Sequence, residues 1–278
     1  MSPTLYLYDD GAARSWDPFV LTRPVGELLF GAFLFRERAQ RYWNCPCRGQ
    51  ITRPDLRGFS EAGSAPVVPP DAPAPDVHRV LQSSRAALSD SAPTLPTEPA
   101  TLLLDGDVVG WSLPPGTPSP PEELLLDPEP LDGSRRVEVE GELLETPWEL
   151  MARNGGRIQE DISTAFHGYA AESLPGCHIL GDGLLSLGSR VLVEPGCVFD
   201  VREGPIRLSD NVVVRAHTRL QGPAWVGPGS TLLGGSLGEI SVGPACKVRG
   251  EVEASVILGY SNKAHDGFLG HAYLGRWV

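Results

Sequence analysis

Three short stretches of this 278-residue sequence carry side chains that could do chemistry, and the last of them surrounds His265. Asn262 and Lys263 precede this histidine, so an amide, an ammonium group and an imidazole lie close together along the chain. Imidazole titrates near neutral pH, and His265 is therefore a candidate general base. His271 follows six residues later, and we expect a structural or interfacial role for it.

The other two stretches each follow a run that is typical of a buried strand. Thr4 to Tyr8 is apolar and aromatic and stops at Asp9-Asp10-Gly11, and Thr101 to Leu104 stops at Asp105-Gly106-Asp107. Such runs predict a strand that feeds a loop. Carboxylate oxygens suit hard divalent cations, so Asp107 is a candidate metal ligand.

Composition excludes several classes of function. The net charge of −12 and the pI near 4.9 oppose binding to nucleic acid, which needs a basic surface. Five cysteines form no metal-like pair of pairs, and their odd number argues against a disulfide framework. The sequence has no signal-peptide pattern and no apolar run of membrane-spanning length, so we expect a cytoplasmic protein without membrane contact.

The first part of the chain is predicted to be a small α/β layer. Leu28 to Tyr42 has the pattern of an amphipathic helix, and Trp148 to Ile162 is predicted to be helical as well. Proline is dense from Ser64 to Pro75 and from Pro114 to Pro121, which excludes regular helix or central strand there. We expect a reduced Rossmann-like α/β domain over residues 1–165.

A six-residue period begins after Leu174 and marks a second domain over residues 175–278. Apolar residues recur at every sixth position within three runs: Leu187, Val193 and Phe199; Leu208, Val214, Leu220, Val226 and Leu232; Val242 and Val248. Such a period predicts a parallel β-helix in which each hexapeptide forms one face of a triangular coil and the periodic residue points inward. About five coils are expected, and a β-sandwich is disfavoured because it does not keep a six-residue phase.

The repeat resembles the hexapeptide acyltransferase superfamily, which implies that the β-helix is left-handed. The segment from Gly259 to Gly275 narrows the resemblance to bifunctional UDP-N-acetylglucosamine pyrophosphorylase/glucosamine-1-phosphate acetyltransferases, the GlmU family. The resemblance implies that His265 is the catalytic base of acetyl transfer from acetyl-CoA to an amino-sugar phosphate. Asn262 and Lys263 would bind substrate, and Phe268 stands where the family has a tyrosine. A homotrimer with shared acyl sites is implied as well.

The amino-terminal stretch from Asp9 to Pro24 is similar to the opening of sugar nucleotidyltransferases. Gly11, Thr22, Arg23 and Pro24 match the family pattern, and Arg14 is displaced by one position from the family's loop arginine. The resemblance implies that Gly11, Arg14, Thr22 and Arg23 bind substrate and that Asp107 holds Mg²⁺.

Three residues depart from that pattern. Ala13, Ser15 and Val25 stand where the family has a glycine, an arginine and a lysine. These departures place the activity of the amino-terminal site in question, because the loop's amides and its arginine carry the phosphate contacts.

Together these resemblances predict an enzyme of nucleotide-sugar biosynthesis for the cell envelope. It would use a nucleoside triphosphate, a sugar-1-phosphate and acetyl-CoA, and it would require Mg²⁺. Two alternatives stay open: a nucleotidyltransferase without acetyl transfer, and an inactive sugar-nucleotide-binding or trimerisation module. We also expect a truncated chain, because it stops at Trp277-Val278, where the family continues into a further coil.

Overall fold

The chain forms two compact units in the computed structural model, which describes residues 3–74, 76–89, 92–166, 170–171 and 173–278. The first unit comprises Met1–Leu28 and Phe33–Pro147, and the second comprises Leu29–Ala32 and Trp148–Val278. Pro75, the end of the first proline-rich segment, lies outside the described residues. In the part of the chain that is described, no helix has the length and apolar character needed to span a membrane.

The described residues before position 148 form ten strands and three α-helices. The strands are β1 (Thr4–Tyr8), β2 (Leu29–Phe30), β3 (Phe33–Leu34), β4 (Cys47–Ile51), β5 (Arg79–Ser83), β6 (Ala86–Leu88), β7 (Ala100–Leu104), β8 (Asp107–Leu113), β9 (Arg135–Glu138) and β10 (Gly141–Leu143). The helices are α1 (Gly11–Arg14), α2 (Phe35–Trp43) and α3 (Glu122–Leu126), and 3₁₀ turns span Phe19–Leu21, Val25–Glu27 and Pro54–Leu56.

Six of these strands form the sheet of the first unit, in the order β4-β1-β5-β8-β7-β9. Strand β1 is parallel to β4 on one side and to β5 on the other. The next strand of this sheet in the sequence, β4, is added on one side of β1, and β5 is then added on the other side. The carboxyl end of β1 is therefore a topological switch point. In open α/β sheets, ligands bind in the crevice at this position.

Apolar side chains cover both faces of the sheet. On one face Leu5, Leu7 and Val80 pack with Trp43 of α2. On the other face Tyr8, Trp111 and Leu125 pack together, and the Tyr8 and Trp111 rings are stacked with centroids 5.4 Å apart. The predicted strands at residues 4–8 and 101–104 are confirmed, and the described residues of the two proline-rich segments form no helix or strand.

The helix predicted from Leu28 is wrong at its start, because α2 begins at Phe35. Gly31 has a φ of 68°, which lies in the left-handed region and ends any helix. The amide groups of Gly31 and Ala32 donate to Asn154 Oδ1 at 3.0 Å and to Asp161 Oδ2 at 2.8 Å. These contacts within the second unit hold residues 29–32 in an extended turn.

Besides β2, the described residues of the second unit form two helices and twelve strands. The helices are α4 (Glu149–Ala152) and α5 (Asn154–Ala165), which confirm the helical prediction for residues 148–162 apart from a break at Arg153. The strands are β11 (His178–Leu180), β12 (Leu185–Leu187), β13 (Leu192–Val193), β14 (Val198–Asp200), β15 (Ile206–Leu208), β16 (Val213–Val214), β17 (Thr218–Val226), β18 (Thr231–Val242), β19 (Lys247–Gly259), β20 (Asn262–Lys263), β21 (Phe268–Gly270) and β22 (Tyr273–Arg276).

These strands form a parallel β-solenoid of about six turns over residues 178–276, consistent with the predicted left-handed β-helix and one turn longer than expected. The periodic residues stack in inward-facing columns, and one column reads Leu187, Leu208, Val226, Val242, Ile257 and Leu274. Its four inner members are fully buried, and the two end members, Leu187 and Leu274, are half-buried. The six-residue period therefore predicted inward-facing residues from Leu187 to Val248, whereas Ile257 and Leu274 were not among the predicted periodic residues.

One outer face of the solenoid is covered by α5. The helix packs on β17, β18 and β19. Ser241 points outward from β18 and donates to Gly31 O at 2.7 Å, and its hydroxyl also bonds Asn154 Oδ1 at 3.1 Å. The buried hydroxyl group of Ser241 is thus satisfied by α5 and by residues 29–32.

Candidate active site

A buried polar network lies at the carboxyl ends of β1, β4 and β5. Tyr8 pairs with Ile51 on one side and with Ser83 on the other. The next residue of each strand is therefore level with the other two. Asp9 lies between Thr52 and Ser84, and its two carboxylate oxygens accept hydrogen bonds from both hydroxyl groups.

Asp9 also anchors the loop that precedes α2. Its Oδ2 accepts the amide N–H of Val25 at 3.4 Å, so the Thr22-Arg23-Pro24 segment is tied to the end of β1. Asp9 is only 2% exposed, and burial raises the pKa of its carboxyl group, although the Ser84, Thr52 and Val25 donors oppose this shift. Desolvation disfavours the charged form, which is why burial dominates.

Asp10 begins helix α1 and forms an ion pair with Arg85. Its Oδ1 accepts the Ala13 amide at 2.9 Å, which caps the helix, and Ser83 donates to its Oδ2 at 3.0 Å. Arg85 Nε lies 3.0 and 2.9 Å from the two carboxylate oxygens. Arg85 Nη1 also donates to Leu144 O at 2.8 Å, so this guanidinium is held in a single orientation.

Arg14 lies at the end of α1 and has one unsatisfied nitrogen. Its Nε donates to Asp9 O at 3.0 Å, and its Nη1 lies 3.5 Å from Glu122 Oε1. Arg14 Nη2 is buried and has no hydrogen-bond partner among the described residues. An unpaired buried donor costs about 1–3 kcal/mol, which an acceptor from a ligand would recover.

The other predicted substrate residues of this unit are arranged differently. Gly11 is exposed in the first turn of α1, and therefore belongs to a short helix and not to an open loop. Thr22 is exposed, whereas Arg23 is buried and pairs with Glu61 at 3.0 Å. Direct roles in substrate binding stay predictions for Gly11, Thr22 and Arg23.

The candidate metal ligand Asp107 is the exposed first residue of β8. It pairs with Leu104 across a tight turn whose two residues, Asp105 and Gly106, have φ values of 52° and 95°. Strand β8 is antiparallel to β5, so this turn projects from the same edge of the sheet as Asp9 and Asp10.

The fit of these residues to Mg²⁺ follows from their number and chemistry. Among the described residues, no group of three or more His, Cys, Asp or Glu side chains could hold a metal ion. Proteins commonly hold Mg²⁺ by one or two carboxylates together with substrate phosphates and water. Asp105 and Asp107 fit a cation that arrives with a triphosphate, and they do not form a preassembled cage.

Carboxylates balance the arginines at this edge. Arg53 lies 3.2 Å from carboxylate oxygens of Asp17 and Asp55, and Arg85 lies 3.0 Å from Glu145 Oε2. Arg14 also pairs with Glu122, and Arg85 also pairs with Asp10. The positive charge of each of these three arginines is thus offset by a carboxylate and does not neutralise a triphosphate. A divalent cation would supply the missing charge.

The candidate acyl-transfer residues lie together in the last coil of the solenoid. Asn262 and His265 are exposed, and Lys263 is half-buried. Lys263 Nζ donates to the backbone oxygens of Arg249 and His265 at 2.8 Å and of Gly267 at 3.3 Å. These contacts use the three N–H bonds of the ammonium group, so Lys263 fixes the loop that presents His265. Substrate contacts by Asn262 and Lys263, and proton transfer by His265, stay predictions.

The sequence reasoning missed Thr52, Ser84 and Arg85, which lie one or two residues beyond β4 and β5. Strand β5 was not predicted, because only Val80 and Leu81 are apolar within it, although the whole strand is buried. The signal that could have found it is the polar cluster Ser83-Ser84-Arg85, which begins two residues after Leu81.

Comparison with known proteins agrees with this architecture. A model of a family described as sugar nucleotidyl transferase matches residues 5–168, which is more than half of the chain. No curated protein sequence matches the chain.

Proposed function

Because the chain belongs to the sugar nucleotidyl transferase family, we propose that its first unit joins a nucleoside triphosphate to a sugar-1-phosphate at the carboxyl edge of β1. The family implies nucleotide and sugar-phosphate substrates, and the chain combines a nucleotidyltransferase domain with a β-helix. The observation that carries the proposal is the guanidinium of Arg14. It is fixed by Asp9 O and Glu122, and its Nη2 has no acceptor among the residues that the structure describes.

In the proposed reaction a phosphate oxygen of the sugar-1-phosphate attacks the α-phosphorus of the triphosphate. The bond from this phosphorus to the oxygen that bridges to the β-phosphate breaks, and pyrophosphate leaves with that oxygen. Arg14 Nη2 donates to a phosphate oxygen and stabilises the charge that develops there. The backbone oxygen of Asp9 accepts from Arg14 Nε and so positions α1. Its carboxylate accepts from the Val25 amide and so positions the Thr22–Pro24 segment.

Asp107, with Asp105 beside it, would hold Mg²⁺, which neutralises the triphosphate and orients it when bound. The arginines at this edge are already paired with carboxylates, and a divalent cation would supply the positive charge that the triphosphate needs, which supports a metal-dependent reaction.

The test is product formation by the full chain. Each common nucleoside triphosphate, labelled at the α-phosphate, is incubated with Mg²⁺ and a panel of sugar-1-phosphates, and labelled nucleotide sugar is measured. We expect one pair of substrates to give product, and we expect Asp107→Asn to lose it. Asp132→Asn is the matched control, because Asp132 is exposed and precedes β9 at the opposite edge of the sheet. Absence of product with every pair would reject the proposal.

We propose acetyl transfer from acetyl-CoA to an amino-sugar phosphate as a second activity, located in the last coil. The supporting observation is that Lys263 fixes the loop on which His265 is exposed. In this reaction the amine nitrogen attacks the thioester carbonyl, coenzyme A thiolate leaves, and the imidazole of His265 takes the proton that the nitrogen loses.

We also propose that the chain assembles as a homotrimer through its solenoid, the arrangement that its resemblance to hexapeptide proteins implies. Exposed apolar side chains on the solenoid, such as Leu192 and Phe268, support an association surface. Light scattering on the full chain should give a mass of three copies, and a monomer would reject this part of the proposal.

A further inference from the structure

The first two coils of the solenoid place two thiols at equivalent positions. Strands β11 and β14 pair in parallel, and Cys177 and Cys197 directly precede them. Backbone hydrogen bonds on both sides fix this alignment: Gly196 N donates to Gly176 O at 2.7 Å, and His178 N donates to Cys197 O at 2.9 Å. The two cysteines are therefore stacked neighbours across the coils.

The spacing of the coils suits a disulfide bond. Neighbouring strands lie about 4.8 Å apart, and disulfides join residues whose Cα atoms are about 4.4–6.8 Å apart. Cys177 and Cys197 hold such neighbouring positions, because each directly precedes one of the paired strands. A bond between them requires side-chain rotation and little backbone movement.

The two thiols differ in exposure. Cys177 is half-buried, whereas Cys197 is fully buried, and burial raises the pKa of the Cys197 thiol. Their S–H groups donate to Glu194 O at 3.4 Å and to Arg215 O at 3.2 Å. Thiols are weak donors, so either contact is exchanged at small cost. An oxidant therefore reaches Cys177 first, and Cys197 is placed to resolve the adduct.

We propose that Cys177 and Cys197 are an oxidation site, which closes to a reversible disulfide when the protein meets a small-molecule disulfide. The Cys177 thiolate attacks one sulfur of the small disulfide, forms a mixed disulfide and releases one thiolate. The sulfur of Cys197 then loses its proton to solvent and attacks Cys177 Sγ, which releases the second thiolate. Two protein thiols are oxidised, and one small disulfide is reduced to two thiols.

The bond ties the first coil of the solenoid to the second. A cross-link restricts the unfolded chain, so the oxidised protein should melt several degrees above the reduced protein. The remaining thiols are controls within the same chain: Cys45, Cys47 and Cys246 are buried.

The experiment treats the full chain with glutathione disulfide and measures its intact mass, its free thiols and its disulfide-linked peptides. We expect the loss of two hydrogen atoms, a cross-linked peptide that joins Cys177 to Cys197, and full reversal by dithiothreitol. Cys197→Ser should instead keep one glutathione on Cys177, because no thiol can resolve the adduct. Cys246→Ser should behave as wild type.

Three outcomes would overturn the inference. They are a wild-type chain that keeps all five thiols, a glutathione adduct that persists on wild-type Cys177, or a cross-link confined to Cys45 and Cys47. Because both serine variants are conservative, their melting curves in reducing buffer show whether each still folds. None of these readouts depends on nucleotidyl or acetyl transfer.

Discussion

Lys263 occupies, in the last coil, the inward-facing position that Val248 occupies in the coil before it. Its methylene chain continues an apolar column, and its ammonium group donates to the backbone oxygens of Arg249, His265 and Gly267. A long cationic side chain can bury its stem and keep its charge among polar groups at the surface. Lys263 thus closes the column and fixes the adjacent loop with the same side chain.

We expect Lys263→Met to destabilise the solenoid by about 1–2 kcal/mol, because three backbone oxygens lose a charged donor while the apolar stem is retained. Urea unfolding measures this change. Lys247→Met is the matched control, since Lys247 is exposed on the outer side of β19 and should change stability by less than about 0.5 kcal/mol. If both substitutions change the free energy of unfolding equally, the hydrogen bonds of the Lys263 ammonium group do not stabilise the last coil.

We expect acetyl transfer to depend on His265. General-base catalysis contributes about 10²–10⁴-fold in rate, so His265→Ala should lose a factor of that size in kcat. The measurement is release of coenzyme A from acetyl-CoA with glucosamine-1-phosphate as acceptor. His271→Asn is the control, because asparagine tolerates the φ of 48° at that exposed position. An equal loss of activity in His271→Asn, or unchanged activity in His265→Ala, would contradict the role of His265 as the general base.

The buried carboxyl group of Asp9 predicts a pH-dependent difference in stability. Its pKa is raised in the folded state, mainly by burial. A raised carboxyl pKa stabilises the fold below the unfolded-state pKa of about 3.9, and this stabilisation is lost as pH rises through the folded-state pKa. The Tm of Asp9→Asn minus that of wild type should therefore rise between about pH 4 and about pH 7.

Asp200→Asn is the control for that series. A side-chain hydrogen bond with Arg202 lowers the pKa of Asp200, and Arg219 adds to this effect. Stabilisation by a group with a lowered pKa is complete above about pH 4 and is lost only at lower pH. The Tm difference for Asp200→Asn should therefore stay constant over the same range. A constant difference for Asp9→Asn would show that its burial does not control its titration.

Arg79 is predicted to hold the two proline-rich segments together. It is fully buried, and its guanidinium donates to Pro73 O and Ser119 Oγ at 3.0 Å and to Thr117 O. Arg79→Met removes the charged donor from all three acceptors, and Pro73 O keeps only a 3.5 Å bond from Ser119 Oγ, so we expect a loss of about 3 kcal/mol in urea unfolding. Arg135→Met, at an exposed position, should cost less than about 0.5 kcal/mol. A small effect at Arg79 would show that the segments are held by other contacts.

Most of the solenoid could be predicted from the sequence because an apolar residue that faces the core recurs at every sixth position. Val214, Leu232 and Val248 keep that phase and stack directly on one another. The position of the helix in the first unit could not be predicted in the same way. Its apolar pattern continued back to Leu28, but hydrogen bonds from Gly31 and Ala32 to distant residues override that local preference.

The candidate site was only partly predictable. Asp9 and Arg14 follow an evident strand, whereas Thr52 and Ser84 come next to them only through parallel pairing across the sheet. Strand pairing between distant segments is not encoded in local periodicity. The contact of Cys177 with Cys197 likewise depends on coil length, because twenty residues must complete one turn to bring the thiols together.

The measurement that tests the central claim most directly is pyrophosphate release that depends on sugar-1-phosphate, compared between wild type and Arg14→Gln. Arg14 Nη2 is a buried donor that has no partner among the described residues, and Arg14 follows β1 by six residues. If it stabilises the transferring phosphate, Arg14→Gln should lower kcat/KM by about 10²-fold or more, with an unchanged melting curve. Arg48→Gln, at an exposed position on β4, should retain activity. Equal activity of wild type and Arg14→Gln would contradict the assignment of nucleotidyl transfer to this edge of the sheet.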